Sequence, residues 1–387
     1  MPKLLPSNIR QKVARQFPMV KDEAYFGSAS LGPWPKSTEQ AVQKHISEWH
    51  VLHDSTPTVF DYWRELKVEI GNMLNAAPDE IGYALNTSYG LAIAASGIEF
   101  KSGDEVLLCD VEFPANTYPW TNLEYKGIKV KFLKSKNRCF DIETFERAIT
   151  KRTKVLTVSF VQFFNGYKND IEKLGKICKR HNIFYVVDAI QGCGNIPIDV
   201  RKCHIDLLAT GAQKWMLSPV GSGFFYLNRN AKLDLRPVFA GWFGIDWGGN
   251  WLDLLRYDLK PAHTVDRFNL SAMPYLQIYG MHSSIKLINS IGVDNIYQHN
   301  LALIDPLIEF VDNHPAYTHA FEQKPENRSC IFSFGCDDPD KLIKYLSARR
   351  VQTTCREGLV RVAVHFFNTP KHIDMLIEGL KGYTNGR

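Results

Sequence analysis

The chain has 387 residues, of which 45% are hydrophobic and 22% charged, with a formal net charge of +5. That profile is globular and the length exceeds one ordinary core, so two units within one compact body are expected. The small charge and scattered basic residues argue against a nucleic-acid partner. No stretch approaches the ~18 apolar residues of a membrane span, and the opening Met-Pro-Lys-Leu-Leu-Pro-Ser lacks a signal's apolar core, so a cytoplasmic protein without membrane attachment is expected.

In chain order, the Gly- and Pro-rich stretch 27–35 reads as a loop. His50 and His53 share a predicted helix, but no third metal ligand accompanies them, and a solvated face is the simpler reading. From about 80 to 228, β-rich runs alternate with helical patterns. Strands are predicted at 81–85, 104–110, 129–134, 154–160, 183–188, 205–209 and 222–228. Phe184-Tyr-Val-Val-Asp188 is apolar without alternation, as a strand covered on both faces should be. Ile171, Leu174 and Cys178 recur at helical spacing just before it. The alternation implies an α/β fold with a largely parallel sheet wrapped by helices.

The region 237–252, rich in Gly and Trp, reads as irregular. Helical stretches follow at 272–291 and 293–312, then a smaller strand–helix–strand–helix unit. Its last helix is marked by Asn368-Thr369 as a cap, Pro370 at the first helical position, and Ile373, Leu376, Ile377 and Leu380 on one face. The eight cysteines, at 109, 139, 178, 193, 203, 330, 336 and 355, show neither CxxC nor zinc spacing. They read as reduced, mostly buried thiols, and no metal site is expected. Gly192-Cys-Gly194 is not a dinucleotide fingerprint, because Pro197 stands at the third glycine position. Cys355 neighbours Arg356, a cation that lowers a thiol's pKa.

Chemistry concentrates in Val186-Val-Asp188-Ala-Ile-Gln191-Gly192 and Gly211-Ala-Gln213-Lys214-Trp215. Asp188 ends a buried strand at its carboxyl edge, where ligands of open α/β sheets bind. A carboxylate there needs a cation or a metal. Lys214 follows a second apolar strand in a Gly-containing turn. A lysine in such a pocket loses its proton readily and becomes a nucleophile. Taken singly, Asp188 also fits a cap or an ion pair. Pyridoxal 5′-phosphate (PLP) supplies what both residues lack: a ring-nitrogen proton for the Asp and an aldehyde for the Lys.

Val186-Val-Asp-Ala-Ile-Gln-Gly192, Gly211-Ala-Gln-Lys-Trp215 and Pro219-Val-Gly-Ser-Gly-Phe224 resemble the class V aminotransferase family of fold-type I PLP enzymes. Its relatives include cysteine desulfurases, isopenicillin N epimerase-like proteins and kynureninases. The resemblance implies a large PLP domain (38–270) with a mainly parallel seven-stranded sheet. It implies a small α+β domain built from 1–37 and 271–387, and a homodimer with shared active sites. It makes Lys214 the internal-aldimine lysine and Asp188 the partner of the pyridinium nitrogen. Gln191 would bond the phenolic oxygen of the cofactor. Asn86, Thr87 and Ser88, before the helical run Leu91–Ile98, would hold the phosphate, for which a helix N-terminus is suited; a plain Thr/Ser cap is the alternative. Phe113, in Glu112-Phe-Pro-Ala-Asn116, would stack on the ring, or serve only as core.

Arg361 is similar to the family arginine that grips the substrate carboxylate, for which a guanidinium is suited. The loop Tyr25–Gly32, with Ser30, resembles the segment lining the substrate pocket. There are departures. Gln213 replaces a common His, Gly211 a common hydroxyl residue, and Ala272 the usual cross-dimer threonine, leaving Ser271 as substitute. No cysteine stands between Arg356 and Arg361, where desulfurases carry their nucleophile, and Cys330 falls in a strand.

The expected substrate is a small amino acid, with a keto acid as possible partner. Aminotransfer is placed first, a C–S lyase or desulfurase second and an epimerase third. Kynureninase, for which Gly241-Trp-Phe-Gly244 speaks and Gln191 and Gln213 do not, and a non-catalytic PLP-fold binding protein complete the set.

Overall fold

The computed structural model describes residues 2–48, 58–250, 253–255, 257 and 260–385. His50 and His53 lie outside the described residues. Along the chain run α1 (Ser7–Gln16), β1 (Ala24–Tyr25), α2 (Lys36–Glu48), α3 (Val59–Leu74), β2 (Ile81–Tyr83) and α4 (Thr87–Gly97). Next come β3 (Glu105–Cys109), α5 (Tyr118–Thr121), β4 (Lys129–Leu133), α6 (Ile142–Ala148), β5 (Thr153–Ser159) and α7 (Ile171–Arg180). β6 (Phe184–Asp188), β7 (Leu207–Gly211), β8 (Gly223–Leu227), α8 (Tyr275–Ile291) and α9 (Val293–Asp312) follow. The chain ends with β9 (Thr318–His319), β10 (Ile331–Gly335), α10 (Pro339–Ser347), β11 (Val351–Gln352), β12 (Thr354–Arg356), β13 (Leu359–Ala363) and α11 (Pro370–Asn385).

Seven strands form one sheet in the order β2-β8-β7-β6-β5-β3-β4. All neighbours are parallel except those of β8, which runs antiparallel to both β2 and β7. This is the mainly parallel seven-stranded sheet expected of fold-type I. Each predicted strand is present, trimmed or shifted by up to two residues. The sixth of them, β7, shows why. Asp206 is spent before the strand begins, accepting from the Tyr185 N–H and from Lys232 Nζ, and the ladder starts at Leu207.

Alternate residues of the central strands enter different cores. Phe184, Val186, Leu207 and Ala209 pack on one face with Leu91, Ala94 and Ala95 of α4. Tyr185, Val187 and Leu208 pack on the other with helices α3, α7 and α8. A strand buried on both sides has no solvent face to encode, which is why β6 reads as an unbroken apolar run. Each of its five residues is buried.

A four-stranded antiparallel sheet, β12-β13-β10-β9, carries a separate core. Val360, Val362, Phe332 and Phe334 meet Leu376 and Leu380 of α11, with Ala24 and Phe26 from the N-terminal arm. The arm is held by β1 pairing parallel to β11 and by a bridge from Gly27 to Ala363. α11 begins at Pro370 with Ile373, Leu376 and Leu380 buried. The N–H of Thr369 is satisfied by His372 Nδ1 at 3.3 Å.

Past the arm the chain runs against the lysine loop. Gly32 donates its N–H to the Gln213 carbonyl at 2.9 Å. A Cβ at Gly32 would stand 2.0 Å from the Lys214 carbonyl oxygen and 2.6 Å from Leu217 Cδ2. Backbone against backbone leaves nothing flexible to yield. Gly32→Ala is expected to lower stability by about 1–3 kcal/mol, read as a lower urea midpoint at unchanged m-value. A wild-type midpoint in the variant would show that this approach is loose.

Candidate active site

Four chain segments reach one place because strand ends of a parallel sheet open on the same edge. Asp188 closes β6, Ser159 closes β5 beside it in register, Lys214 follows β7, and 110–116 follow β3. Between them is a cavity of about 250 Å3. Asn86, Thr87, Ser88, Phe113, Asp188, Gln191, Gln213 and Lys214 all line it, so every predicted cofactor residue but Ser271 is gathered there. Ser271 is exposed, in the loop before α8. Two larger clefts, of about 690 and 760 Å3, contain neither Asp188 nor Lys214. Convergent polar groups, rather than volume, single out the smaller one.

Asp188 is 2% exposed. Its Oδ1 accepts the Ile190 N–H at 3.0 Å, while Oδ2 is buried without a partner. Burial raises its pKa and the neighbouring Glu112 charge adds to this, against the Ile190 hydrogen bond and the Lys214 charge. Lys214 is shifted the other way. Burial lowers its pKa, and the charges of Arg361 and Arg356 act in the same sense, opposed by Asp188. Its Nζ stands 5.9 Å from the centre of the Phe113 ring. Phe113 is 40% exposed and meets Phe163 edge-on at 5.0 Å.

Around this pair the donors and acceptors are largely fixed. Gln191 accepts from Trp215 Nε1 at 2.9 Å and donates to the Ala29 carbonyl at 3.0 Å. Its amide keeps one N–H for another acceptor. Gln213 Oε1 is buried without a partner. Asn86 caps α4 by accepting the Tyr89 N–H at 2.9 Å, and Thr87 Oγ1 accepts the Gly211 N–H at 2.9 Å. The helix cap is therefore Asn86, which leaves the Ser88 hydroxyl and the Thr87 and Ser88 N–H groups at the start of α4 for an anion.

Arg361 is 2% exposed on β13, between β12 and β10 rather than at a sheet edge. It donates to the Phe163 carbonyl (2.5 Å), Ser30 Oγ (2.7 Å) and Thr354 Oγ1 (3.1 Å). All three are neutral, so its charge has no carboxylate partner among the described residues. Ser30 thus touches the arginine but does not line the cavity.

Glu112 was not singled out in the sequence. It is half-buried and accepts from the Ser159 N–H and hydroxyl, Asn116 and Gln162. Burial raises its pKa despite these donors. Its one signal was a carboxylate in the turn after a buried strand. Cys355 departs from expectation: burial raises its thiol pKa, outweighing Arg356. Cys330 is fully buried beside Asn300, and no disulfide joins cysteines among the described residues. Among the described residues no His/Cys/Asp/Glu group could hold a metal, and no helix is long and apolar enough to cross a membrane.

An open sheet with a lysine and a carboxylate at its carboxyl edge, joined to a small antiparallel unit, defines the fold-type I PLP class. The sequence pattern of the Aminotransferase class-V family matches residues 33–376, and the chain belongs to that family. A probable cysteine desulfurase of Methanothermobacter thermautotrophicus is 26% identical over 96% of this chain and 97% of its own length. The apo cysteine desulfurase of Thermococcus onnurineus superposes with a TM-score of 0.87 at 21% identity, over all of both chains. The cystine C–S lyase C-DES, solved with its reaction product cysteine persulfide, superposes at 0.85 and 20% identity, over 94% of this chain and 99% of its own.

The family's cofactor is pyridoxal phosphate, and the chamber fits it. The lone Asp188 oxygen suits a protonated ring nitrogen, the start of α4 suits a phosphate, and Lys214 is pushed toward its neutral amine. A small amine-acylating reagent is therefore expected to label apoprotein Lys214 with a pH midpoint at least one unit below the ~10.4 of an ordinary lysine. Lowering a lysine's pKa makes the neutral, reactive form available at lower pH. Peptide mass spectrometry across a pH series reads this, and an ordinary midpoint would contradict it.

Proposed function

We propose that this chain is a PLP-dependent C–S lyase, which cleaves the Cβ–S bond of a small sulfur amino acid and releases the sulfur on a soluble product. The sequence alone placed aminotransfer first. The names of the relatives, mostly probable cysteine desulfurases, favour the C–S reading instead. One local observation shapes it further. β12 and β13 are joined by a tight turn at Glu357 and Gly358, with φ of 51° and 76°. No loop with a cysteine fits between Arg356 and Arg361.

Cys355 is no substitute. Thr354 faces Arg361 in register and bonds it, so the next residue along β12 projects to the opposite face. Among the described residues, the β12–β13 hairpin therefore puts no cysteine on the arginine's side of the sheet. C-DES, named as a cystine C–S lyase with cysteine persulfide as its product, offers the matching precedent.

In this reading Asp188 holds the ring nitrogen, Thr87, Ser88 and Asn86 with the α4 N-terminus hold the phosphate, and Phe113 covers the ring. Gln191 donates its remaining N–H to the phenolic oxygen, and Gln213 Oε1 serves as a further acceptor. Exposed Ser271 is assigned to the phosphate of a neighbouring subunit in a homodimer. The cofactor, when bound, supplies an electron sink for the carbanion at Cα. Arg361 fixes the substrate carboxylate and so aims the Cα–H bond. Lys214 takes that proton on Nζ. The electron pair becomes the Cα=Cβ bond, and the Cβ–S pair leaves on sulfur.

The test is product analysis with cystine and with cysteine. Pyruvate and ammonia in equal amounts, with persulfide or sulfide and no added keto acid, are the expected result. Keto-acid-dependent amine transfer, or racemisation without sulfur release, would overturn it. Two variants sharpen the reading. Cys355→Ser should keep kcat/KM within about twofold, since surface changes away from the site cost little; a collapse would restore a protein-bound sulfur. Asp188→Asn should lower kcat by roughly a hundredfold or more, as removal of a preorganised charge does.

A further inference from the structure

Glu112 has no place in the proposed mechanism, yet it is bonded to the wall of the cavity. Ser159 ends β5 and Asp188 ends β6 as register partners, and Ala209 of β7 is the partner of Asp188 on its other side. Register partners point to the same face of a sheet. Asp188 therefore stands in a row between the Ala209 methyl group and the Ser159 side chain. Glu112 follows β3, the next strand beyond β5, and accepts from both polar groups of Ser159, the N–H at 3.0 Å and the hydroxyl. Ser159 lines the cavity and Glu112 does not, so the carboxyl acts from behind it.

The surroundings of Glu112 are those of an acceptor. Asn116 Nδ2 donates to it at 2.9 Å and Gln162 Nε2 at 3.1 Å. The Asn116 amide is oriented by the Thr157 hydroxyl, which donates to its Oδ1. Three N–H groups and a hydroxyl thus converge on one carboxyl, as an ionised carboxylate requires because it can only accept. Burial opposes that charge and the donors offset it. Three titratable groups feel Glu112: Asp188, Cys109 and Tyr185. Cys109 and Tyr185 are buried and their pKa values are raised, which keeps them neutral. Asp188 is then the group whose protonation Glu112 can alter, and Lys214 acts on it with the opposite sign.

We propose that Glu112 is a positioning residue that, acting from behind Ser159, holds one proton in the pair formed by Asp188 and the ring nitrogen of the cofactor. A negative charge beside an acid raises its affinity for a proton. Without that charge the pair would shed its proton at lower pH. A carboxylate would then face a bare nitrogen lone pair, and two acceptors repel. The cofactor would be held less tightly and would draw electrons less well. The inference rests on Asp188 facing the ring nitrogen and not on which bond the enzyme cleaves.

The ring nitrogen reports its own proton. Holoenzyme is reconstituted with pyridoxal phosphate isotopically labelled at that atom, and its nitrogen NMR signal is followed against pH. Glu112→Gln removes the charge and keeps the side chain's length. Gln162 can turn its amide to suit, because its Oε1 has no partner. The variant should lose the proton at a pH lower by about one unit or more. Glu112→Asp, shorter but charged, should lie nearer to wild type. A purely structural clamp predicts the reverse order, since Gln preserves the clamp and Asp shortens it. Thermal denaturation checks that both variants fold. As a second readout, apoprotein is titrated with pyridoxal phosphate and with its analogue bearing carbon in place of the ring nitrogen. The wild-type preference for the natural cofactor should shrink by at least about threefold in Glu112→Gln. An unchanged titration and preference in Glu112→Gln, or the reverse order of the two variants, would overturn the proposal. Asp188→Asn separates the readings. If it keeps the wild-type preference, Asp188 does not hold the ring nitrogen and both assignments fall. If it loses the preference while Glu112→Gln retains it, Asp188 stands and the role of Glu112 alone is refuted.

Discussion

Burying an acid and an amine at the same strand edge is the constraint on which this fold turns. Asp188 is buried and Lys214 half-buried, both facing a cavity walled by strand ends and the start of α4. Each is therefore driven toward its neutral form, and each partly restrains the other. A buried ion pair seldom recovers its desolvation cost without further hydrogen bonds. Here Oδ2 of Asp188 receives none, and a second buried carboxyl, Glu112, adds repulsion. An arrangement this poorly satisfied makes sense when a ligand completes it, because strain and orphaned polar groups concentrate at functional sites. A protonated ring nitrogen and an aldehyde are the complements of an orphan carboxylate oxygen and a desolvated amine.

The rest of the molecule fixes these groups in place through the backbone. His365, fully buried, has its pKa lowered to about 3 by burial. Its Nδ1 accepts the Phe366 N–H, so the neutral ring donates from Nε2 to the Trp215 carbonyl at 2.8 Å. Trp215 in turn donates to Gln191, and Gln191 donates to Ala29. Asn368 accepts the His365 N–H and donates to the Tyr25 carbonyl. This chain of bonds joins the C-terminal unit, the lysine loop and the N-terminal arm. Because the arm also carries Ser30 to Arg361, a shift in any of the three would move the substrate's anchor relative to Lys214. Networks of this kind specify geometry when every member is satisfied.

The large sheet was legible because its strands are buried on both faces, and a continuous apolar run between turn signals has few other readings. Asp188 and Lys214 were legible for the same reason: a charge beside such a run is conspicuous. What the sequence hid depends on contacts between distant segments. Glu112 looks like an ordinary surface acid until Ser159 and Gln162, about fifty residues on, close over it. Likewise, nothing near Gly32 indicates that it lies against the Lys214 carbonyl. The Cys355–Arg356 pair misled for a similar reason, since a neighbouring cation lowers a thiol's pKa only when burial does not outweigh it. Ser271 belongs to another category: its assigned role needs a second subunit, and one chain shows only that it is exposed.

The same hairpin bears on where the sulfur goes. A sulfur leaving Cβ as an anion must be captured, either by a protein thiol brought to it or by the atom it was already bound to. The first route requires a chain long enough to swing a cysteine over Lys214. Here Arg356 and Leu359 are joined by a two-residue turn locked into a ladder, with Cys355 and Val360 paired next to it. Extended chain spans at most ~3.6 Å per residue, so such a turn has no slack to extend. The second route needs no protein nucleophile. If sulfur departs already bonded to another sulfur, the negative charge resides on a persulfide rather than on sulfide.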